Sequence, residues 1–375
     1  MPALALPRAA LAALALAFST TTAGAATAAA EAAPPDRFHA GEAMRSTSSA
    51  SAALRNRGDA TLRVLVWYPA PTPAAETPQV IGPPDAPVFL PGSAAADAPW
   101  ADAARHPVVL LSHGFGGVGS QMKWLGTALA RAGYVGIAVD HPGTNGRDGV
   151  TPAGAYAPWE RAGDLKAALD LALADPLLGP HLDAGRVGVA GFSMGGFTGA
   201  LLVGARADLG RFIAFCDGPA RDAICDPQKE FPLDYHDGPK VLSEPALAPV
   251  AARHHADLAD PRVRAAFLVD PALGPALDPA SLGRVRAPVE VLYGLADPIA
   301  PPVSNALLIA HAIPGAQLVA LPGVGHYDFL ADCGPGGRRD APAYCTDGPG
   351  IDRGRTHAQA IEEALHFFGA ALAPR

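Results

Sequence analysis

The hydrophobic residues of this chain fall into short continuous runs, with stretches of helical spacing between them. Continuous apolar runs are typical of strands that are buried on both faces of a sheet. They predict strands at residues 62–68, 107–112, 134–140, 186–191, 265–270, 288–293 and 317–321. Helical spacing predicts helices at residues 120–132, 159–175, 197–206 and 356–372. The alternation predicts an α/β fold with a mostly parallel central sheet and helices on both faces.

Two stretches interrupt this alternation. Residues 70–104 are rich in proline and are predicted to be a loop. Residues 209–262 mix prolines, cysteines and polar residues, and are predicted to be a cap-like insertion over the top of the sheet. The sequence therefore predicts one domain over residues 60–375 with this insertion. A linker and N-terminal extension at residues 26–59 would precede it.

Composition narrows the class of protein. Glycine and proline number 41 and 39 in 375 residues, but 49% of residues are hydrophobic and only 17% are charged, which favours a packed core over disorder. The formal net charge is −8 and no basic run is present, which argues against nucleic acid as a partner.

The first 25 residues resemble a secretory signal peptide. Arg8 provides a positive charge, residues 9–18 are apolar, and Ala23-Gly24-Ala25 fits a cleavage site for small residues. The apolar run is shorter than the roughly 20 residues that span a bilayer. A secreted or periplasmic protein without a stable membrane anchor is expected, with a retained N-terminal anchor as the alternative.

The four cysteines form two close pairs in the chain, Cys216 with Cys225 and Cys333 with Cys345. An even number in an exported chain suggests disulfides. Three connectivities are possible, and the local pairing is favoured. A zinc site is the disfavoured alternative because no CxxC spacing is present, and no metal is expected.

Ser193 lies in the motif Gly191-Phe192-Ser193-Met194-Gly195, between a predicted strand and a predicted helix. This context is typical of a nucleophile elbow, in which the serine occupies a very tight turn. Gly191 and Gly195 would remove steric clashes there, and the helix N-terminus would favour a developing anion. The alternative is an ordinary turn in a glycine-rich chain.

The segment His113-Gly114-Phe115-Gly116-Gly117 directly follows a predicted strand. Gly114 and Gly116 would let its backbone approach a ligand closely. In hydrolases with such an elbow, this loop and the residue after the nucleophile provide the oxyanion hole. The backbone N–H groups of Phe115 and Met194 are the candidates, with the loop donor assigned to within one position. His113 itself is expected to be structural.

His326 is the candidate general base, because it lies in a glycine-rich loop after the last strand. Asp297 follows the preceding strand and is the candidate acid that orients the histidine. Asp270 also ends a strand and is the rival for that role. The adjacent His254 and His255 are expected to be solvated residues of the insertion.

These motifs resemble the α/β-hydrolase superfamily over roughly residues 60–370. The segments at residues 66–70 and 112–117 resemble the dienelactone-hydrolase-like group, which includes bacterial relatives of platelet-activating-factor acetylhydrolase. The elbow is also similar to that of secreted polyester hydrolases of the cutinase type. Dienelactone hydrolases use a cysteine nucleophile, so Ser193 favours ordinary carboxylic esters instead.

The expected activity is that of a secreted serine carboxylesterase acting on small-molecule esters, with short acyl groups favoured because the insertion would narrow the pocket. An amidase or peptidase with the same triad, a cutinase-like polyester hydrolase, and a non-catalytic binding protein are the alternatives. No cofactor is expected, and the oligomeric state stays open. Activity is expected to rise through the ordinary histidine pKa, roughly 6–7.

Overall fold

The computed structural model describes residues 37–374. Within these residues, eleven strands form the central sheet, whose spatial order is β10-β9-β8-β7-β5-β6-β2-β1-β4-β11, with β3 paired to β4. The strands are β1 (His39–Ser48), β2 (Thr61–Ala70), β3 (Thr77–Ile81), β4 (Phe89–Ala96), β5 (His106–Ser112), β6 (Val135–Val139), β7 (Leu182–Phe192), β8 (Val263–Val269), β9 (Val289–Gly294), β10 (Gln317–Leu321) and β11 (Asp332–Cys333). The strands from β5 to β10 pair in parallel, whereas β2 is antiparallel to both β6 and β1.

Helices connect the parallel strands and cover the sheet. They are α1 (Ala50–Arg55), α2 (Lys123–Arg131), α3 (Pro152–Ala155), α4 (Glu160–Ala174), α5 (Met194–Leu202), α6 (Leu209–Asp217), α7 (Asp237–Leu242), α8 (Ala248–Ala251), α9 (Pro279–Leu282), α10 (Ala306–Ala312), α11 (Pro335–Asp340), α12 (Pro342–Cys345) and α13 (Arg353–Ala371). The predicted α/β class, with a mostly parallel sheet and helices on both faces, is confirmed.

The sheet separates two hydrophobic cores, as the central strand β5 shows. Successive side chains of a strand point to opposite faces. Val108 and Leu110 therefore pack in the core beneath α4 and α5, whereas Val109 and Leu111 pack in the core beneath α2 and α13. Both faces are covered, which explains why this strand is an uninterrupted apolar run.

The N-terminal part of the domain differs from the sequence prediction. Residues 39–48, assigned to an extension before the domain, form β1, which pairs with β2 along its whole length. The predicted loop at residues 70–104 contains β3 and β4. Pro78 and Pro91 lie in these two strands, near one end of the sheet. Proline is tolerated on edge strands and weakens the sequence signal for them. The sheet thus begins before residue 60.

The segment at residues 209–262 contains helices α6, α7 and α8, and no strand among these described residues. It leaves the sheet after α5 and returns at β8. A disulfide between Cys216 and Cys225 joins the end of α6 to the following turn. A second disulfide joins Cys333 to Cys345. Both are the local pairs that the cysteine spacing favoured.

Among residues 37–374, no helix combines the length and the apolar character that crossing a bilayer requires. The predicted signal peptide at residues 1–25 and the first part of the predicted linker, residues 26–36, lie outside the described residues.

Candidate active site

Ser193 lies in the turn between β7 and α5. Its backbone has φ 56° and ψ −119°, a strained conformation for a residue other than glycine. A Cβ added at Gly191 would lie 2.1 Å from the Gly195 carbonyl oxygen, and one added at Gly195 would lie 2.0 Å from the Ser112 carbonyl oxygen. The two glycines therefore permit the tight turn that presents Ser193.

The predicted oxyanion donors lie beside this serine. Met194 is the first residue of α5, where backbone N–H groups have no partner within the helix. In the part of the chain that the structure describes, neither its N–H nor that of Phe115 donates to a protein acceptor. A Cβ added at Gly114 would lie 3.3 Å from the Ser193 Cβ, and Gly116 has φ +67°. The glycines thus bring the loop close to Ser193.

His326 begins a short 3₁₀ turn, His326–Phe329, after β10. Its Nε2 lies 2.8 Å from Ser193 Oγ, which is hydrogen-bond distance. The ring is buried and packs near the ring of Phe192, with a centroid distance of 5.0 Å. The structure therefore brings the candidate base and the candidate nucleophile into direct contact.

Two carboxyl groups face the other ring nitrogen of His326. The Nδ1 atom lies 2.7 Å from Asp297 Oδ2 and 3.2 Å from Asp270 Oδ2. Asp297 Oδ1 also accepts hydrogen bonds from the N–H groups of Ile299 and Ala300, at 2.7 and 3.0 Å. Asp297 has the shorter contact, but the structure also places the rival acid at the histidine.

The protonation states of these three groups depend on one another. Burial opposes a charged imidazole, but the charge of Asp297 and the contacts with Asp270 outweigh it and raise the pKa of His326 to about 10. Burial, followed by the charge of Asp297, raises the pKa of Asp270 to about 7. Burial also opposes ionisation of Asp297, yet His326 and the two backbone donors outweigh it and lower its pKa. Asp297 is therefore the carboxyl group that stays ionised.

Sequence reasoning missed Arg161, a fully buried residue of α4 that lies behind the oxyanion loop. Its guanidinium donates to the carbonyl oxygen of His113 and, at 3.1 Å, to Thr144 Oγ1. Its Nη1 also lies 3.5 Å from Met194 Sδ. Arg161 thereby ties together the two segments that carry the predicted donors. The sequence carried no signal for this role, because an arginine in an amphipathic helix is normally exposed.

The three other histidines considered from the sequence, His113, His254 and His255, differ in their surroundings. His113 is buried, and burial followed by the charge of Arg161 lowers its pKa well below the usual value. Its Nδ1 lies 2.6 Å from the Gly114 carbonyl oxygen, and its Nε2 accepts from the His141 N–H. These backbone contacts fit a structural role. His255 is exposed, but His254 is half-buried and accepts a hydrogen bond from the Leu209 N–H, which differs from the solvated position expected for both.

Among residues 37–374, two groups each place three possible metal-ligand atoms within 4.8 Å of one another. They are Asp270, Asp297 and His326, and separately Asp208, His254 and His255. In the first group, both ring nitrogens of the histidine face protein partners, as described above. In the second group, His254 Nε2 accepts a hydrogen bond from the backbone N–H of Leu209. Each group thus has at least one histidine nitrogen that is already engaged in a hydrogen bond within the protein.

A mostly apolar cleft opens above Ser193, with a volume of about 1080 Å³ including the part open to solvent. Residues 209–262 contribute much of its wall, including the side chains of Leu209, Phe212, Ile224, Leu233 and Tyr235. Glu230 of the same segment accepts a hydrogen bond of 3.0 Å from Tyr327 Oη, next to His326. The insertion therefore lies against the active-site face.

A Ser–His–Asp chain of hydrogen bonds at the carboxyl ends of parallel strands is the arrangement of the α/β hydrolases. The chain belongs to the alpha/beta hydrolase family, whose model matches residues 108–334. The narrower resemblance to the dienelactone-hydrolase-like group stays a prediction.

Individual relatives match shorter parts of the sequence. Cutinase est2 of Thermobifida alba is 36% identical over 103 residues, 27% of this chain and 31% of that protein. Cutinase est1 of the same organism matches with the same identity and coverage. The alignments thus span about a third of the length of these curated relatives.

A solved structure resembles nearly the whole chain. The ferulic acid esterase from Streptomyces cinnamoneus superposes with a TM-score of 0.60, covering 92% of this chain and 94% of its own. The two sequences are 22% identical, so the likeness shows the shared fold.

We expect kcat/KM for an ester to increase with pH through a midpoint above the ordinary histidine value of 6.5. A general base must be neutral, and the carboxylate of Asp297 beside His326 favours its protonated form, so more alkaline conditions are needed. This midpoint is higher than the roughly 6–7 expected from the sequence. Initial rates with p-nitrophenyl acetate, followed at the isosbestic wavelength of the product, provide the measurement. A midpoint at or below pH 7 would contradict the assignment of these charges.

Proposed function

We propose that the protein is a serine carboxylesterase, which hydrolyses carboxylic esters through an acyl-enzyme on Ser193. The observation that carries the proposal is the chain of hydrogen bonds from Ser193 through His326 to Asp297, at the floor of an apolar cleft. The structural relative described as a ferulic acid esterase supports an ester as the substrate.

Each step of this reaction has a group in position. His326 Nε2 accepts the proton of Ser193 while Oγ attacks the ester carbonyl, and the ionised Asp297 stabilises the resulting imidazolium. The N–H groups of Phe115 and Met194 donate to the oxyanion. The alcohol leaves with the proton from His326, and a water molecule then releases the acid by the same route.

Export from the cytoplasm is part of the proposal. Disulfides persist in oxidising compartments and are rare in the cytosol, and the chain carries two of them. The signal-like pattern of residues 1–25 agrees with this. The substrate is therefore an ester met outside the cytoplasm.

The proposed substrates are esters with short acyl groups. Phe212, Leu233 and Tyr235 come from the insertion and line the same apolar cleft as Ser193. The contact between Glu230 and Tyr327 holds the insertion near the catalytic histidine. A cleft covered in this way favours small esters over long acyl chains.

Polyester hydrolysis is the second candidate, favoured by the 36% identity to two cutinases over 103 residues. A polymer chain needs an open cleft, whereas residues 209–262 cover this one. An amidase or peptidase would share the same triad, so p-nitroanilides belong in the same assays as the esters.

Replacing Ser193 with alanine should abolish the turnover of p-nitrophenyl acetate. The change removes the attacking oxygen, and losses on the order of 10⁴-fold or more are typical for such nucleophiles. Ser243→Ala is the matched control, because that hydroxyl donates to the Lys240 carbonyl oxygen near α7. Retained turnover in the Ser193 variant, with both proteins folded by circular dichroism, would refute the proposed nucleophile.

The short-acyl preference can be measured with p-nitrophenyl esters of increasing chain length. We expect kcat/KM to peak at C2–C4 and to fall at C12, and Phe212→Ala to shift the peak to longer chains by removing a cleft wall. Phe215→Ala is the control, because Phe215 lies on the same helix outside the cleft lining. A wild-type peak at C12 would show that the insertion does not narrow the pocket.

A further inference from the structure

A second buried carboxyl group contacts the catalytic histidine, although the reaction above uses one. Asp270 directly follows β8, and Asp297 lies in the loop after β9. The two strands pair in parallel, so their carboxyl ends meet at one edge of the sheet. Oxygens of both acids and a ring nitrogen of His326 lie within 4.8 Å of one another. Both acid side chains are almost fully buried.

The two acids cannot contribute equally. His326 Nδ1 carries one hydrogen, and the shorter contact is to Asp297. Asp297 Oδ1 accepts two backbone N–H groups, whereas Asp270 Oδ1 accepts one, from Gly294 at 3.2 Å. Hydrogen bonds to a carboxylate stabilise its charged form. The charge therefore belongs on Asp297, and two adjacent buried carboxyl groups in such a site share a proton.

Two ionised acids would also impair the reaction. Both negative charges would hold His326 as an imidazolium, which cannot accept the proton of Ser193. With Asp297 ionised and Asp270 protonated, one negative charge remains at the histidine, as in an ordinary triad. The three groups titrate as a unit, so the active form is the one in which His326 has lost its proton and Asp270 keeps its own. The ionisable groups that act on Asp270 are Asp297, from the loop after β9, and His326, from the turn after β10.

The backbone at Asp270 supports a role beyond packing. Its φ is 45°, in the left-handed region that residues other than glycine rarely adopt. Such strain persists only where the surrounding structure holds it, and it concentrates at active sites. The Asp270 N–H donates to the Leu292 carbonyl oxygen at 2.7 Å, which anchors the residue to β9 in this conformation.

We propose that Asp270 is a positioning residue that keeps a proton in the active protein and donates it to Asp297, so that a single carboxylate charge faces His326. The proposal rests on the proposed function for its role in catalysis. The proton stays on Asp270 during turnover, and Asp270 acts through Asp297 and His326.

Three variants separate this role from that of a charged triad acid. Asp270→Asn keeps an uncharged donor and tolerates positive φ, so kcat/KM should fall by at most about tenfold. Asp270→Ala removes the donor and should cost about 10²-fold in kcat, with KM little changed. Asp297→Asn should lose at least ten times more than Asp270→Asn, towards the ~10⁴ typical of a triad acid. Asparagine at position 270 should therefore retain most of the activity that alanine at the same position loses.

Other activity results would overturn the proposal. A loss in Asp270→Asn as large as that in Asp297→Asn would show that Asp270 carries the necessary charge. Full activity in Asp270→Ala would show that it positions nothing.

Measurements of thermal stability test the protonation of Asp270 independently of catalysis. A carboxyl group whose pKa is raised on folding stabilises the protein below its unfolded value, about 3.9, and loses that contribution as the pH rises through the folded value. Wild type should therefore lose stability relative to Asp270→Asn between pH 4.5 and 6.5. The Tm of the variant minus that of wild type should increase over this range.

A constant or decreasing Tm difference would show that Asp270 is already ionised and would overturn the proposal. If no variant or wild type cleaves any ester, the proposed function fails, whereas the Tm comparison still decides the protonation of Asp270. The two failures are therefore distinguishable.

Discussion

The parallel pairing of β7, β8 and β9 is the constraint on which the site depends. Their carboxyl ends lie side by side, so Ser193, Asp270 and Asp297 reach the same edge of the sheet from three neighbouring strands. The Ser193 N–H donates to the Val269 carbonyl oxygen, which ties the elbow to the adjacent strand. His326 arrives after β10, the next strand, and completes the cluster. The apolar cores on both faces stabilise this register.

Burial gives the cluster its chemical character. Burial makes each charge costly, so the protonation of His326, Asp270 and Asp297 is decided by their mutual contacts more than by solvent. Arg161 adds a buried cation behind the oxyanion loop, and burial lowers its pKa to about 9. A negative charge thus lies beside the histidine that accepts the proton, and a positive charge lies behind the loop that is proposed to bind the oxyanion.

The sequence predicted the parts of the fold and site that have strong local signals. Continuous apolar runs located β5 to β10, and glycines next to Ser193 indicated a tight turn. The strands β1 and β4 contain small and polar residues, because they lie near an edge and bury little apolar surface, so periodicity missed them. The sequence indicated Asp270 and Asp297 as acids at strand ends, but only the pairing of β8 with β9 in the structure shows that both contact His326. Arg161 resembled an ordinary surface charge until its helix was placed.

Covalent trapping tests the central claim, an activated Ser193, most directly. Diethyl p-nitrophenyl phosphate transfers its phosphoryl group to an activated serine and releases p-nitrophenolate. Mass spectrometry of the intact, folded protein should show one diethylphosphoryl group per chain, with peptide mapping placing it on Ser193, in parallel with the loss of esterase activity. Labelling at another residue would contradict the account. So would ester turnover that persists after incubation with an excess of the reagent.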